Sequence, residues 1–314
     1  MPDPDSTPVP DIAEALPSLL PGLRRITRNG WLLEAAIAAI AVAMLALTAG
    51  MGEEPYQIPL IILAVAVGLA AYVARSTRRQ HEARIMPLMA EALGLGYLQN
   101  ANSFMASLPP RLLPKASRKS AEDQISGRIG GRSIQFAEMK LETGGKNSST
   151  LFQGIVAEFP NLAPMPPFFL AAEGETRNWL GFAGRIEVDD LIRIDTITGP
   201  SGKVYGVWAS TSDVRRHPAF AAVLKVLTSL ELFIGSDSRL YTASSDGKII
   251  HVALSHKRNL FKIGGLFNTG DALLVDIRLG YRDLSIPLTI AAKLLEAEQS
   301  GLLKPEGEIT PPPE

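Results

Sequence analysis

Cysteine is absent from this chain. That removes disulfides, thiolate nucleophiles, iron–sulfur clusters and cysteine-bearing zinc sites together, and it fits a reducing compartment. Histidine is scarce. His81, His217, His251 and His256 are the only four, and none forms the H-E-x-x-H pair of a helical zinc site. Aromatic residues make up 6% of the chain and net charge is −1, so neither a stacking platform nor a global field points to nucleic acid.

Local signatures of chemistry are missing as well. Gly144-Gly145-Lys146-Asn147 and Gly199 to Val204 lack the hydroxyl after lysine, and the following helix, that a phosphate-binding loop requires. Both read as hairpin loops. There is no G-x-S-x-G elbow, and Gly94-Leu95-Gly96 has no third glycine to complete a dinucleotide fingerprint. Asp189 and Asp190 are adjacent, so on a strand they would point to opposite faces. Glu138 lies where the strand pattern slips, and His251 lies opposite the apolar Ile250, Val252 and Leu254. Neither has a visible partner in the sequence. No catalytic, cofactor-binding or metal-ligating residue is assigned.

What the chain does contain is apolar length. Its mean hydropathy of +0.13 is high for a soluble protein. Trp31 to Met51 is apolar apart from Glu34, and Ile58 to Ala74 carries no charge. A bilayer core takes about 20 helical residues, with about 17 as a lower bound. The link between the runs is too short to recross a bilayer, so the two segments form a hairpin. Arg24, Arg25 and Arg28 precede the first run; Arg75, Arg78, Arg79 and Arg84 follow the second; the link carries Glu53 and Glu54 and no base. Positive flanks stay inside, which puts both termini in the cytoplasm of a bacterial cell with the inner membrane spanned twice. Trp31, Tyr56, Arg75, Arg78 and Arg79 are the expected interface residues. A cleaved signal peptide and a buried hairpin of a soluble protein are the rival readings. The long polar lead and the arginine asymmetry weigh against them.

Residues 1–22 hold six prolines and four acids without a base and read as a disordered tail. Residues 23–93 read as the hairpin with a juxtamembrane helix interrupted at Pro87. Residues 94–121 read as a linker. Residues 122–299 read as an α+β domain, and 300–314 as a second tail. Within that domain the period of two predicts strands on either side of Gly130-Gly131, with a bulge near Ala137–Glu138. It predicts further strands in LFQGIVAEF, FFLAAE, VYGVWAS, LELFIG, RLYTAS and KIIHVALS, with Asp246-Gly247 as a hairpin turn. DALLVDIRLG at 271–280 also alternates and is expected as a strand. Helices are expected from Pro218 and over 286–299, the latter with Ser285 as N-cap. Strands without βαβ alternation argue for α+β with mostly antiparallel pairing and two helices.

EDQISGRIGGRSIQFAE at 122–138, LFQG at 151–154, VYGVWASTSD at 204–213 and NLFKIGGLF at 259–267 occur in this order within residues 30 to 298. In these stretches the chain resembles the bacterial domain-of-unknown-function family 3137. The resemblance implies an N-terminal membrane hairpin and a cytoplasmic domain, and it implies no activity.

The most interpretable polar feature is Arg111, Lys115, Arg118 and Lys119, which follow the juxtamembrane helix. Each base near anionic lipid is worth about 1 kcal/mol, so the four are candidate headgroup ligands. An ordinary solvated linker is the equal alternative. The expected function is a membrane-anchored binding or scaffold module with the lipid bilayer and an unidentified protein as partners, without nucleic acid. A membrane-anchored enzyme with a site assembled from distant residues is the alternative. Oligomeric state stays open.

Overall fold

The structure, a computed structural model, describes residues 12–49, 57–145, 148–161, 165–173, 191–217, 219–234, 238–258, 260–267 and 271–302. Tyr56, Glu53, Glu54, Asp189, Asp190 and Pro218 lie outside the described residues, as do residues 1–11 and 303–314 of the two expected tails.

Alanine and leucine dominate the first two helices, α1 (Ile12–Ala49) and α2 (Gln57–Ala92). Both are good helix formers. Pro17 and Pro21 do not break α1, and Pro87 does not stop α2. An interior proline costs about 3 kcal/mol. Burial of Ile85, Met86 and Met89 around Pro87 offsets that cost. After α2 come β1 (Gly96–Asn100), α3 (Asn102–Ser107), β2 (Arg118–Ile129), β3 (Arg132–Glu142), β4 (Thr150–Pro160), β5 (Phe168–Ala172), β6 (Ile192–Thr198) and β7 (Val204–Ala209). A 3-10 turn (Ser212–Arg216), α4 (Phe220–Thr228), α5 (Glu231–Ile234), β8 (Ser238–Ser245), β9 (Ile249–His256) and α6 (Asp271–Leu302) follow. The chain is α+β, and among the described residues the nine strands form one antiparallel sheet of order β1-β2-β3-β4-β9-β8-β5-β7-β6.

Two compact units result. Met1–Leu93 with Phe261–Asp283 make one, and Gly94–Leu260 with Leu284–Glu314 the other. In the first unit α1 and α2 run antiparallel. A Cβ on Gly22 would meet Arg84, Thr27 faces His81, and a Cβ on Gly30 would meet Thr77. Val73, Thr77, His81, Ile85 and Met89 form the buried stripe of α2 at helical spacing. Beyond Gly30 and before Val73 the stripe ends, and Leu33, Ile40, Leu47, Leu60, Ile61 and Leu63 are all exposed.

In the second unit Gly130 and Gly131 supply the two positive φ angles of the β2–β3 turn, as expected. The β8–β9 turn is also as expected. Asp246 Oδ1 accepts the N–H groups of Lys248 and Ile249, and Gly247 takes φ 102°. β4 is an interior strand, buried along most of its length. The sheet is covered on both faces. On one, Phe104 and Leu112 pack with Met139, Phe152, Val156 and Trp208. On the other, Phe220 of α4 meets the Phe168 ring edge-on at 5.5 Å, and Leu294 and Leu295 of α6 lie against Ile134 and Phe159.

Four expectations are corrected. The register slip lies in β2 and not in β3: the extra residue falls between Glu122 and Ile125, opposite Ala137, with Asp123 at φ 56°. β3 keeps one phase while both of its faces become buried, which imitates a slip. Residues 96–107, read as linker, contain β1 and α3, and Leu112 beyond them is fully buried. Glu231–Ile234 of LELFIG form the helical turn α5 and not a strand. Residues 271–280 open α6, so the last helix begins at Asp271, and both Ser285, the expected N-cap, and Pro287 lie inside it. Leu273, Ile277, Tyr281 and Leu284 are the buried set, a spacing of four, four and three. Leu274 would share the polar face of a strand with Asp276 and Arg278, and on the helix it is exposed.

Candidate functional site

β2, β4 and β8 begin, and β3 and β9 finish, at the same end of the sheet. The register there runs Arg118 to Glu142, Glu142 to Thr150, Gly154 to Ser255 and Ser255 to Arg239. Of the four expected headgroup ligands, this brings Arg118 and Lys119 to that end, alongside Lys140, Arg239 and Lys257. Arg118 and Lys119 are neighbours on a strand and therefore leave opposite faces. Lys119 shares its face with Arg239. Arg111 and Lys115 instead flank Leu112, whose carbonyl accepts the Thr242 hydroxyl at 2.5 Å.

Between β4, β8 and β9 the same end opens a groove, lined in part by Thr150, Ser238, Arg239, Ser255, His256 and Lys257. Among the described residues no carboxylate lines it. Arg239 Nε donates to Ser255 Oγ at 2.9 Å, which orients the guanidinium along the strand pair. Tyr241 stands edge-on to Phe152 at 5.3 Å and closes the inner side. Ser238 Oγ is buried without a hydrogen-bond partner among the described residues. Glu142, an acid at the strand ends, is engaged by Lys140 at 2.6 Å. A planar guanidinium, an ammonium and several hydroxyls, with no carboxylate among the described lining residues, suit a phosphate-type oxyanion. Sequence reasoning missed Arg239 and Lys257 because they are far from Lys119 along the chain, and only the strand order brings them to the same end of the sheet, with β3, β4 and β9 between β2 and β8.

A second polar group crosses the sheet further along. Gln135, Glu158, His251 and Ser244 stand in register on β3, β4, β9 and β8. His251 Nε2 lies 3.5 Å from Glu158 Oε2. The hydrogen bond from His251 holds the Glu158 carboxyl below its ordinary value, burial pushes the other way, and Gln135 adds to the lowering. His251 Nδ1 and Ser244 Oγ are buried and make no hydrogen bond among the described residues. A serine nucleophile needs its hydroxyl on the imidazole, and here that bond is unmade. Glu158 and Gln135 border an open cleft, but His251 and Ser244 do not line it. Glu138 has a structural use: its Oε1 accepts the N–H of Leu260 at 3.1 Å. Among the described residues no three His, Asp or Glu side chains converge to hold a metal ion.

The expected interface residues belong to the first unit. Trp31 is exposed and meets Phe267 edge-on, with centroids 5.2 Å apart. Arg75 and Arg79 are exposed past the apolar run of α2, and Arg78 pairs with Glu82 at 3.4 Å. His81, seven residues past that run, is buried. Burial lowers its pKa, the Leu23 carbonyl opposes this, and Arg84 adds to the lowering. The neutral ring accepts the Gly265 N–H at Nδ1 (3.2 Å) and turns Nε2 to Leu23 O and Thr27 Oγ1.

No protein-family model matches the chain, and no curated protein matches it. Among solved structures the chain is similar to the mycobacterial trehalose monomycolate transport factor A, with 12% sequence identity and a TM-score of 0.35, over 65% of this chain and 95% of that one.

Proposed function

We propose that this chain is a binding or scaffold module of the bacterial inner membrane. The α1–α2 hairpin crosses the bilayer with both termini in the cytoplasm. The sheet unit engages anionic lipid headgroups through Arg118, Lys119, Arg239 and Lys257, with Arg111 and Lys115 adding charge. One observation carries the anchor: the apolar windows of the two long helices are only 6% and 11% buried. In water such a surface far exceeds what a soluble protein tolerates. In hydrocarbon it is solvated, and 29 residues in α1 are ample to cross. The resemblance to family 3137 belongs to the same reading.

The test uses the full chain in nanodiscs of neutral phosphatidylcholine, with or without phosphatidylglycerol. Hydrogen exchange at residues 118–120, 238–241 and 255–257 is expected to slow several-fold in the anionic discs. About 0.5 M salt should reverse the effect, because exposed charges are then screened within a few ångströms. Exchange indifferent to lipid charge overturns headgroup docking. Extraction of the chain into buffer without detergent overturns the anchor itself.

A further inference from the structure

We infer that the segment from Phe261 to Phe267, together with the first turns of α6, is a second membrane-contacting element, an apolar wedge seated among anionic lipids beside Trp31. The inference rests on the hairpin being the bilayer anchor, and it assigns a lipid contact to residues about two hundred positions away in sequence.

The antiparallel pairing of α1 and α2 gives a depth scale. Gly22 lies level with Arg84, Thr27 with His81, and Gly30 with Thr77. The apolar runs end at Trp31 and Ala74, so the Gly30–Thr77 level marks their common boundary. The 261–267 segment climbs to that boundary. A Cβ on Gly30 would sit 2.7 Å from Leu266 Cδ1, and the Phe267 ring stands edge-on to the indole of Trp31 at an interplanar angle of 85°.

The climb is built in. Phe261 and Ile263 are buried, Asp276 Oδ2 accepts the Gly264 N–H at 2.9 Å, and His81 Nδ1 accepts that of Gly265. Gly264, at φ 72°, lies so close to His81 that a Cβ would fall 2.5 Å from Nδ1. A loop clamped at its base nevertheless presents its largest ring outward: Phe267 is 74% exposed and Trp31 47%. The first turns of α6 continue the surface, with Val275 52% exposed and Leu274 partly so. Lys262 and Arg278 flank these residues and are exposed. Aromatic and aliphatic tips fringed by bases at the end of a membrane helix match the interfacial zone of an anionic leaflet.

Because the chain has no cysteine, single labelling sites are clean. Phe267→Cys, Val275→Cys, Ile40→Cys and Arg215→Cys, each spin-labelled in full-length protein in nanodiscs containing phosphatidylglycerol, give the depth by oxygen and nickel-chelate collision rates. Labels at 267 and 275 are expected to show an oxygen-to-nickel ratio several-fold above that at 215, approaching that at 40. A ratio at 267 equal to that at 215, with 40 still shielded from nickel, overturns the wedge and leaves the anchor standing. If 40 is also aqueous, the anchor fails and the wedge with it. Dipolar broadening between labels at 267 would mean a second copy covers the ring, which also overturns the lipid assignment.

Discussion

Asp123 is a carboxylate whose surroundings change its chemistry. It occupies the extra position of the β2 bulge at φ 56°, a conformation that aspartate and asparagine tolerate better than most residues. Burial pushes its pKa from 3.8 up to about 6, the hydrogen bond from Tyr97 (2.6 Å) pulls it back, and Glu122 adds to the rise. A carboxyl with a raised folded pKa binds its proton more tightly in the folded state. Its contribution to stability is therefore most favourable below pH 4 and declines as pH rises toward 6. At about 1.4 kcal/mol per unit the loss reaches on the order of 3 kcal/mol above pH 6. Asp123→Asn keeps the acceptor for Tyr97 and removes the charge. In detergent it is expected to unfold at a higher denaturant midpoint than the parent at pH 8 and at a similar one at pH 4. Equal midpoints at pH 8 would show that the carboxylate is well solvated. Nothing in the sequence marked this residue, because a bulge is created by the pairing of two strands and has no local code.

At the scale of elements, legibility followed the locality of the cause. The β2–β3 and β8–β9 turns were readable because two glycines and an Asp-Gly pair settle the backbone by themselves. The two long apolar runs were readable because length alone identifies them. The opening of α6 was not. Leu273, Val275, Ile277 and Leu279 satisfy a period of two, while Leu273, Ile277, Tyr281 and Leu284 satisfy a period near 3.6, and tertiary burial chose the second. The basic end of the sheet was half legible: Arg118 and Lys119 stood out as a run, whereas the groove residues Arg239 and Lys257 depend on strand order. That order also imposes a steric limit on β4. A Cβ on Gly154 would fall 1.8 Å from the Leu254 carbonyl oxygen of β9, a backbone atom that cannot swing aside. Gly154→Ala must force β4 and β9 apart in the middle of the sheet and is expected to cost about 3 kcal/mol or more. Gly68→Ala in α2, with nothing within 4 Å of its Cβ, is the control and should be neutral or slightly stabilising. A chemical denaturation series comparing the two decides it, and parental stability in Gly154→Ala would mean the strands do not approach so closely.

For the whole molecule, division in space does not follow division along the chain. Residues 261–283 join the hairpin unit although 168 residue positions separate Leu93 from Phe261. Within that unit Phe261, Ile263, Leu266, Leu273 and Ile277 are buried, with Gly264 on His81 and Gly280 against Met89. Five such side chains are worth about 1.5–3 kcal/mol each, on the order of 10 kcal/mol together. A domain has only about 5–15 kcal/mol of net stability. Cutting before residue 94 to obtain a soluble fragment therefore removes the partner of a segment the fragment still carries. A fragment of residues 94–302 is expected to elute as aggregates in size-exclusion chromatography and to show fast hydrogen exchange over 261–283. The intact chain in detergent should protect the same amides. If the fragment runs as a monodisperse monomer with 261–283 as protected as in the parent, those residues do not need the hairpin, and the first unit ends at Leu93.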